Sequence, residues 1–329
     1  METKDICITG GLGFLGSNLT RALLDDGHNV TVVDCSTNTR NVGDFIDEFD
    51  YVRACIATSY AWREYCKGKD AIIHLAANVS HIKAEKDPYL DVSANIIGTI
   101  NLLEGIKDLG SKPKVIYACS RSVYGATQFM PVTEDHHTNP LDAYGISKLA
   151  AEKYLMKYSH HNDIPVISFR MANLVGPRQG LDTRAYQMIS WIFRCVSRDE
   201  TVGFWGDGLQ TRDFLYVGDA VEAYRRAIND KHWKDQPMAN FYNLPGGEYC
   251  TWLKAIQTCG KVLGKNPKVQ FEPYPAVRLK LENRDSKLDG TKLLDRFGYI
   301  PKTPLEIAFK KMSEYYTDRW EDYLHGGML

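Results

Sequence analysis

Short apolar runs alternate with helical patterns through the first 175 residues of this 329-residue chain, and this alternation restricts the fold more than any other feature. The runs are nearly continuous in Val, Ile and Ala, which is typical of strands buried on both faces. We predict strands at Asp5–Thr9, Asn29–Val33, Tyr51–Ile56, Ala71–Leu75, Lys114–Ala118 and Pro165–Arg170, and helices that include Ser17–Asp25, Pro88–Leu109 and Asp142–Tyr158. Strands separated by helices form a parallel sheet covered on both sides. The predicted fold is therefore α/β, with a doubly wound parallel sheet.

The alternation ends near residue 175, after which the chain becomes rich in loops, as in "VGPRQG" and "WGDGLQTRDF". We predict one domain over residues 1–175. Residues 176–329 are predicted to form mainly a smaller lobe that binds substrate, with some segments returning to the sheet. Ligands of such folds bind beyond the carboxyl ends of the strands, so polar residues at those positions are the first candidates for function.

Composition excludes several classes of protein. The chain has 40 basic and 41 acidic residues, whereas a protein that coats nucleic acid carries a basic excess. It contains no apolar run near the ~20 residues that span a bilayer, and its N-terminus does not resemble a secretion signal. The eight cysteines form no Cys-x-x-Cys pair and no Cys/His group with zinc spacing. We expect a cytoplasmic protein without metal or disulfides, and with neither nucleic acid nor membrane as a partner.

The loop "ITGGLGFLG" follows the first predicted strand and precedes a helix, with glycines at Gly10, Gly13 and Gly16. Such a loop is either a phosphate cradle or only a tight turn, and an acidic residue about 20 positions later favours the cradle. Asp34 ends the second strand at the required distance. Its carboxylate would accept hydrogen bonds from the adenosine ribose and repel the extra phosphate of NADP. The predicted cofactor is therefore NAD.

Tyr144 and Lys148 lie four residues apart in "DAYGISK", a spacing that places both side chains on one helix face. A lysine ammonium lowers the pKa of a nearby phenol, so that the phenolate can accept a proton from a sugar hydroxyl while hydride leaves its carbon. Ser120, after the fifth predicted strand, offers a hydroxyl for the same substrate oxygen. The pair alone also fits a half-buried tyrosine beside a solvated lysine. Combined with the glycine loop and Ser120, it predicts a catalytic set.

Several segments of the chain together resemble the extended short-chain dehydrogenase/reductase family, in its nucleotide-sugar epimerase/dehydratase branch. The matching segments cover residues 5 to about 310 and are "ITGGLGFLGSNL", "AIIHLAA", "NIIGTINLLE", "ACSRSVYG", "YGISKLAAEKY", "FRMANLVGPRQ" and "WGDGLQTRDFLYVGDAVEAY". The resemblance implies a Rossmann-like fold, an NAD-binding domain over residues 1–175 and a nucleotide-sugar-binding lobe after it. It also implies a homodimer formed through a four-helix bundle by helices Pro88–Leu109 and Asp142–Tyr158.

The resemblance further implies roles for individual residues. The catalytic residues would be Ser120, Tyr144 and Lys148. The cofactor would contact Gly10, Gly13, Phe14, Leu15, Gly16, Asp34, Cys35, Ser36, Cys55, Ile56, Leu75, Ala76, Ala77, Asn95, Tyr144, Lys148 and Met171, and His74 would line the nicotinamide side. The nucleoside-diphosphate sugar would contact Val79, Ser80, His81, Ser122, Asn173, Arg178, Arg212 and Arg278. For Arg212, a structural ion pair with Asp213 or Asp219 is the alternative.

The reaction is indicated by a departure from the pattern of this family. Its dehydratases and decarboxylases carry an acidic residue one or two positions after the catalytic Ser or Thr, and here those positions are Arg121 and Ser122. Hydride removal, rotation of the keto sugar and hydride return need no such carboxylate. We therefore predict a nucleotide-sugar 4-epimerase that acts on a hexose or a uronic acid. The alternatives are C4 oxidation or reduction, dehydration, epimerisation at another carbon, and an NAD-sensing module without turnover. Arg121 either binds an acidic sugar or faces outward.

Overall fold

The computed structural model describes residues 2–181, 188–231, 239–275 and 285–324. The strands in chain order are β1 Asp5–Thr9, β2 Asn29–Asp34, β3 Asp50–Arg53, β4 Ala71–His74, β5 Lys114–Ser120, β6 Val166–Met171, β7 Asn173–Val175, β8 Val202–Trp205, β9 Thr211–Tyr216, β10 Ala239–Leu244, β11 Glu248–Thr251 and β12 Val269–Glu272. Seven of them form one parallel sheet in the order β10-β6-β5-β4-β1-β2-β3. The predicted doubly wound α/β fold is confirmed.

Helices cover this sheet and the smaller sheets beside it. They are α1 Phe14–Asp25, α2 Trp62–Cys66, α3 His81–Lys86, α4 Pro88–Asp91, α5 Gly98–Ile106, α6 Ala143–Asn162, α7 Met188–Ser197, α8 Val217–Asn229, α9 Trp252–Leu263, α10 Thr291–Phe297, α11 Leu305–Tyr316 and α12 Trp320–Leu324. None of the helices in the described part of the chain has the length and apolar character needed to cross a bilayer. The same residues contain no group of three or more His, Cys, Asp or Glu side chains that could hold a metal ion.

The apolar runs form the centre of the sheet because both of its faces are covered. Ile8 on β1 pairs in register with Val32 on β2 and Ile73 on β4, and all three side chains are fully buried. The strand order changes direction between β1 and β4, since β2 and β3 extend the sheet to one side and β5, β6 and β10 to the other. A crevice opens at such a reversal, beyond the carboxyl ends of the strands.

The helix predicted over Pro88–Leu109 has an irregular middle. After α4, residues Val92–Ile97 form a π-helix that leads directly into α5. Wide turns of this kind are frequent at functional sites. The strand predicted at Tyr51–Ile56 ends at Arg53 instead, because Cys55 opens a turn in which its carbonyl accepts the N–H groups of Thr58 and Ser59.

Residues after 175 contribute to both parts of the molecule. β10 joins the edge of the central sheet beside β6. The remaining strands form a sheet of order β11-β9-β7 and a parallel pair of β12 with β8. A second apolar core, separate from that of the large sheet, packs α7, α9 and α11 around Phe193, Trp252 and Phe309. The domain boundary at residue 175 stays a prediction.

Candidate active site

A cavity of about 900 Å³ opens at the carboxyl ends of the central strands. It brings together most of the site residues predicted from the sequence. Its walls include Gly10, Gly13, Phe14, Leu15, Gly16, Asp34, Cys35, Ser36, Cys55, Ile56, Leu75, Ala76, Ala77, Val79, His81, Ser120, Ser122, Tyr144, Lys148, Met171, Asn173, Arg178 and Arg212. Segments that are as much as 200 residues apart in the sequence therefore share one cleft.

Three predicted site residues are absent from the cavity wall that the structure describes. Arg278 lies outside the described residues. Ser80 is buried and begins α3, where its hydroxyl accepts the N–H of Lys83. Asn95, in the π-helix, is buried one layer behind the wall and holds the Asn78 loop, because its Oδ1 accepts the Asn78 N–H at 2.7 Å.

His74 also lies behind the cavity wall. Its Nδ1 is 2.8 Å from Thr9 Oγ1 and its Nε2 is 3.0 Å from Thr99 Oγ1, and the ring is fully buried. Burial lowers the pKa of His74 to about 3, so the ring is neutral at physiological pH. Thr9 Oγ1 in turn accepts the N–H groups of Leu75 and Ala76 at 3.2 Å. His74 therefore supports the turn that faces the cofactor site.

The glycine loop is packed so closely that Gly10 and Gly16, two of the three glycines of the predicted phosphate-binding pattern, admit no side chain. Gly10 has a φ of +74°, and a Cβ there would lie 2.8 Å from the Ala76 nitrogen. A Cβ on Gly16 would lie 2.2 Å from the Gly10 oxygen. Gly13 differs, because its Cβ would meet only the Gly10 oxygen at 3.3 Å. Packing within the protein therefore hardly requires glycine at position 13. A ligand that approaches the loop closely would require it.

Gly13 begins α1 without a side-chain cap, and the first turn of α1 contains no acidic residue. The N–H groups of this turn and the positive end of the helix dipole are therefore available to an anion. Asp34 closes the other side of the loop, where its carboxylate accepts N–H bonds from Leu12 at 3.0 Å and Ser36 at 2.9 Å. These bonds fix the carboxylate at the cavity wall, where the predicted ribose contact requires it. The donor set fits the diphosphate and ribose of NAD.

Tyr144 and Lys148 occupy one face of α6, and Lys148 is almost completely buried. Burial lowers the pKa of Lys148 to about 8, and its Nζ lies 4.2 Å from the centroid of the Tyr117 ring. Burial also raises the pKa of the Tyr144 phenol above its ordinary value, and a hydrogen bond with Ser120 only partly offsets this. A lowering of the Tyr144 pKa is expected from Lys148 together with the positive ring of the oxidised cofactor, and burial opposes it in the protein by itself. A further positive charge near Tyr144 is needed to stabilise its phenolate at neutral pH.

The strand end that carries Ser120 forms the wall beside Tyr144. Ser120 Oγ accepts the N–H of Ser122 at 3.1 Å, which caps the short 3₁₀ helix Arg121–Tyr124. Arg121 also lines the cavity, and its Nε donates to Asn173 Oδ1 at 3.0 Å. Arg121 thus faces the cavity rather than bulk solvent, which resolves one of the alternatives left by the sequence.

His81 lies beside Tyr144, with ring centroids 4.5 Å apart. Its Nδ1 donates to Asp142 Oδ2 at 2.5 Å, and Asp142 begins α6 by accepting the Gly145 N–H. Burial alone would raise the pKa of Asp142, but the hydrogen bond and charge of His81 hold it below its usual value. Asp142 is therefore ionised at neutral pH and is not a proton donor.

Two arginines predicted to bind the substrate lie at different ends of the cleft. Arg212 lies over the Trp252 ring at 5.9 Å and donates to the Thr211 carbonyl. The Asp213 carboxylate accepts the N–H groups of Gly246 and Leu288, and the Asp219 carboxylate accepts those of Lys302 and Thr303. Arg178 lies next to α1, where its Nη1 donates to Asn18 Oδ1 at 3.3 Å. Its position is beside the glycine loop.

Comparison with known proteins identifies the family. The model of the NAD dependent epimerase/dehydratase family matches residues 6–243, which is more than half of the chain. The chain belongs to this family. A UDP-glucose 4-epimerase of Mycolicibacterium smegmatis is 28% identical over 95% of this chain and 98% of its own length.

Two solved structures of the family closely match this chain in fold. The UDP-glucose 4-epimerase of Thermotoga maritima, solved with UDP-glucose, is 27% identical over 96% of this chain and 99% of its own, with a TM-score of 0.87. The UDP-glucuronic acid 4-epimerase of Bacillus cereus, solved with UDP-glucuronic acid and NAD, is 27% identical over 95% of this chain and 99% of its own, with a TM-score of 0.83. Family membership confirms the predicted NAD-dependent enzyme.

The cleft also contains residues that were not predicted as site residues. They include Asn38, Arg40 and Asn41 near the end of β2, Asp142 at the start of α6, and the aromatic residues Phe204, Trp205, Trp252 and Tyr274. These aromatic residues come from three segments that meet only in the folded chain, so no local spacing marks them. Asp142 carried a local signal, since an Asp directly before a helix is a common N-cap.

Proposed function

We propose that the protein is a nucleotide-sugar 4-epimerase that oxidises and re-reduces C4 of a nucleoside-diphosphate hexose or uronic acid. The observation that carries the proposal is the convergence of Ser120, Tyr144 and Lys148 on a cavity whose other end is the glycine loop. No acidic residue occupies position 121 or 122. Transient oxidation needs only this catalytic set and a retained cofactor.

In the proposed mechanism, Tyr144 Oη accepts the proton of the C4 hydroxyl and later returns it. NAD, when bound, supplies the hydride acceptor and a positive ring. Lys148 provides a second positive charge, which offsets the burial that raises the pKa of Tyr144. Ser120 donates a hydrogen bond to the same substrate oxygen and stabilises the charge that develops there.

For the remainder of the substrate, we propose that Asn173 and Arg212 bind the diphosphate. An amide donor and a guanidinium fork suit phosphate oxygens in charge and geometry. Arg178, which donates to Asn18 on α1, is better placed for the cofactor than for the sugar. We therefore propose to reassign Arg178 from the substrate to the phosphates of NAD.

Homodimer formation is also part of the proposal. Tyr89 on α4 is 81% exposed and Ile97 in the π-helix 44% exposed, while on α6 Ile146 is 55% and Tyr154 41% exposed. Residues eight apart on a helix lie on one face, so each segment presents an apolar stripe. Two copies would bury these stripes in a four-helix bundle. Sedimentation of the wild type and of Ile146→Lys at micromolar concentration tests this, since only the wild type should be a dimer.

One observation favours a second reaction, the elimination of water. His81 is held by Asp142 beside Tyr144, so its imidazole could serve as the acid or base that the missing carboxylates supply in dehydratases.

All eight cysteines have free thiols, which suits a reducing compartment, and we propose a cytoplasmic role in carbohydrate biosynthesis for either reaction.

The experiment that tests the function is product analysis after incubation with UDP-, GDP-, CDP- and dTDP-linked hexoses and uronic acids. Mass spectrometry and NMR should find a product of unchanged mass with an inverted C4 proton coupling. Loss of one water would establish elimination and refute the 4-epimerase. A change of two mass units with matching cofactor turnover would indicate net oxidation or reduction instead. NAD binding without turnover of any sugar would favour an NAD-sensing module.

A further inference from the structure

The C-terminal helix α12 packs against the cofactor end of the cleft. Tyr323 on α12 is fully buried, and its hydroxyl donates to Asn41 Oδ1 at 2.6 Å, across 282 residues of sequence. Asn41 lies after β2 and lines the cavity, whereas Tyr323 belongs to the second apolar core. The contact therefore joins that core to the segment that borders the cofactor site.

Asn41 connects this contact to the glycine loop. Its Nδ2 donates to the Leu12 carbonyl at 3.0 Å, and both residues are buried. The N–H of Leu12 donates in turn to Asp34 Oδ2 at 3.0 Å. A chain of hydrogen bonds thus runs from α12 to the carboxylate that is proposed to bind the ribose. Because both backbone groups of Leu12 are engaged, the loop cannot rotate at this residue without breaking one of these bonds.

The direction of the Leu12 carbonyl matters to any anion at this loop. A site for a diphosphate presents N–H groups to the ligand and keeps carbonyl oxygens turned away from it. Leu12 lines the cavity, and its carbonyl is held by the amide of Asn41, whose other end accepts the Tyr323 hydroxyl. Burial raises the pKa of Tyr323 above its ordinary value, so the phenol stays protonated and remains a donor.

The other contacts of this part of the chain with the cofactor end do not involve the Tyr323 hydroxyl. Arg319, just before α12, pairs with Asp44 at 3.1 Å, but both side chains reach solvent, so this ion pair contributes little. The Arg40 guanidinium lies 4.7 Å from the centroid of the Tyr323 ring and donates to the Asp322 carbonyl at 3.4 Å. Tyr323→Phe keeps the ring and therefore keeps these contacts, while it removes the bond to Asn41.

We propose that α12 is part of the cofactor site and that Tyr323 is a positioning residue, which holds the glycine loop in its NAD-binding shape through Asn41. The inference goes beyond the proposed function, because it concerns how tightly NAD is held rather than which reaction follows. It rests on the proposed contact between the glycine loop and NAD. A cofactor that accepts a hydride and returns it to the same sugar has to stay bound between the two steps.

The test measures NAD binding in the absence of any sugar, for the cofactor-free wild type, Tyr323→Phe, Asn41→Ala and the double variant. Calorimetry gives the Kd, and stopped-flow fluorescence gives the dissociation rate. Tyr323→Phe should raise the Kd by about 3–10-fold, within the range for one hydrogen bond between neutral groups, and mainly through faster dissociation. Asn41→Ala should raise the Kd at least as much, because it releases the Leu12 carbonyl directly. Adding Tyr323→Phe to Asn41→Ala should then change the Kd by less than about twofold.

Tyr315→Phe is the matched control. The Tyr315 hydroxyl lies 2.8 Å from that of Tyr323, which already donates to Asn41, so Tyr315 is the donor of this pair. Its removal deletes one buried hydrogen bond in the same core and leaves the bond to Asn41 in place. The Tm of cofactor-free Tyr315→Phe should fall, as that of Tyr323→Phe does, while its Kd for NAD stays within about twofold of the wild type.

Two results would overturn the inference. In the first, Tyr323→Phe lowers the Tm but leaves the Kd and the dissociation rate at wild-type values, which would confine its hydroxyl to packing. In the second, Tyr323→Phe weakens NAD binding by the same factor with and without the Asn41 side chain, which would exclude Asn41 as the connection. A wild type that binds no NAD would refute the cofactor assignment and the proposed function as well, so the two failures are distinguishable.

Discussion

The two ends of the cleft are built in different ways. At the cofactor end, the ligand surface is mostly backbone: a glycine loop, the first turn of α1, and an Asp34 carboxylate held by two N–H groups. At the sugar end it is mostly side chains from separate segments, among them Ser120, Tyr144 and Asn173. Backbone surfaces follow from short local spacings, whereas side-chain surfaces depend on long-range packing. The cofactor end can therefore stay the same while substrates diverge.

The largest effect is expected from a substitution that abolishes proton transfer at the sugar end and leaves NAD binding at the cofactor end intact. Tyr144→Phe deletes the only phenol assigned to proton transfer, and a positioned acid/base contributes about 10²–10⁴ in rate. We expect kcat to fall by that factor while the Kd for NAD, measured by fluorescence quenching, stays within about twofold. Tyr60→Phe, on a 91% exposed tyrosine, is the control and should have wild-type rates. Full activity of Tyr144→Phe would refute the mechanism.

The same division explains what the sequence could predict. The parallel sheet and the loop from Gly10 to Gly16 follow from local apolar runs and local spacing, and the sheet is confirmed. The π-helix at Val92–Ile97 could not be predicted, because Asn95 bonds to a loop and to α6 that only the folded chain brings near it. The aromatic wall around Trp205 and Tyr274 was missed for the same reason. The burial that raises the pKa of Tyr144 could not be predicted either, because burial is a property of the fold.

A smaller effect is expected when the carboxylate at the cofactor end loses its charge. Asp34→Asn should weaken NAD binding by about 10–100-fold, because a charged acceptor bonds ribose hydroxyls more strongly than a neutral one. Binding of NADP should weaken less or improve, since the repulsion of its extra phosphate is removed. Calorimetry with both cofactors measures this, and Asp50→Asn on an exposed site is the control. Unchanged NAD affinity in Asp34→Asn would argue against the ribose contact.

In the glycine loop, the requirements of NAD binding can be tested separately from those of packing within the protein. Gly13→Ala introduces a Cβ that meets only the Gly10 oxygen at 3.3 Å, so its Tm should stay within about a degree while NAD binding weakens by about tenfold. Gly16→Ala places a Cβ 2.2 Å from the same oxygen and should lower the Tm measurably as well. Equal losses of Tm in the two variants would show that both glycines serve packing. Thermal melts without cofactor, followed by NAD titration, distinguish the outcomes.

At Lys148, the requirements of activity and of stability oppose each other. Burial lowers its pKa to about 8 from an ordinary value of 10.5. Between these two pH values the unfolded chain binds more protons than the folded one, so this residue makes stability rise with pH over that window and costs stability below it. Lys148→Met should therefore raise the Tm of the cofactor-free protein by a few degrees at pH 7 and by less as the pH approaches 10. It should also lower kcat severely.

Lys114, whose pKa burial likewise lowers to about 8, is present in both proteins and cancels in the comparison. A Tm difference that does not change with pH would mean that Lys148 affects stability through packing rather than through its charge, and it would weaken the case that the buried ammonium is maintained for the phenolate.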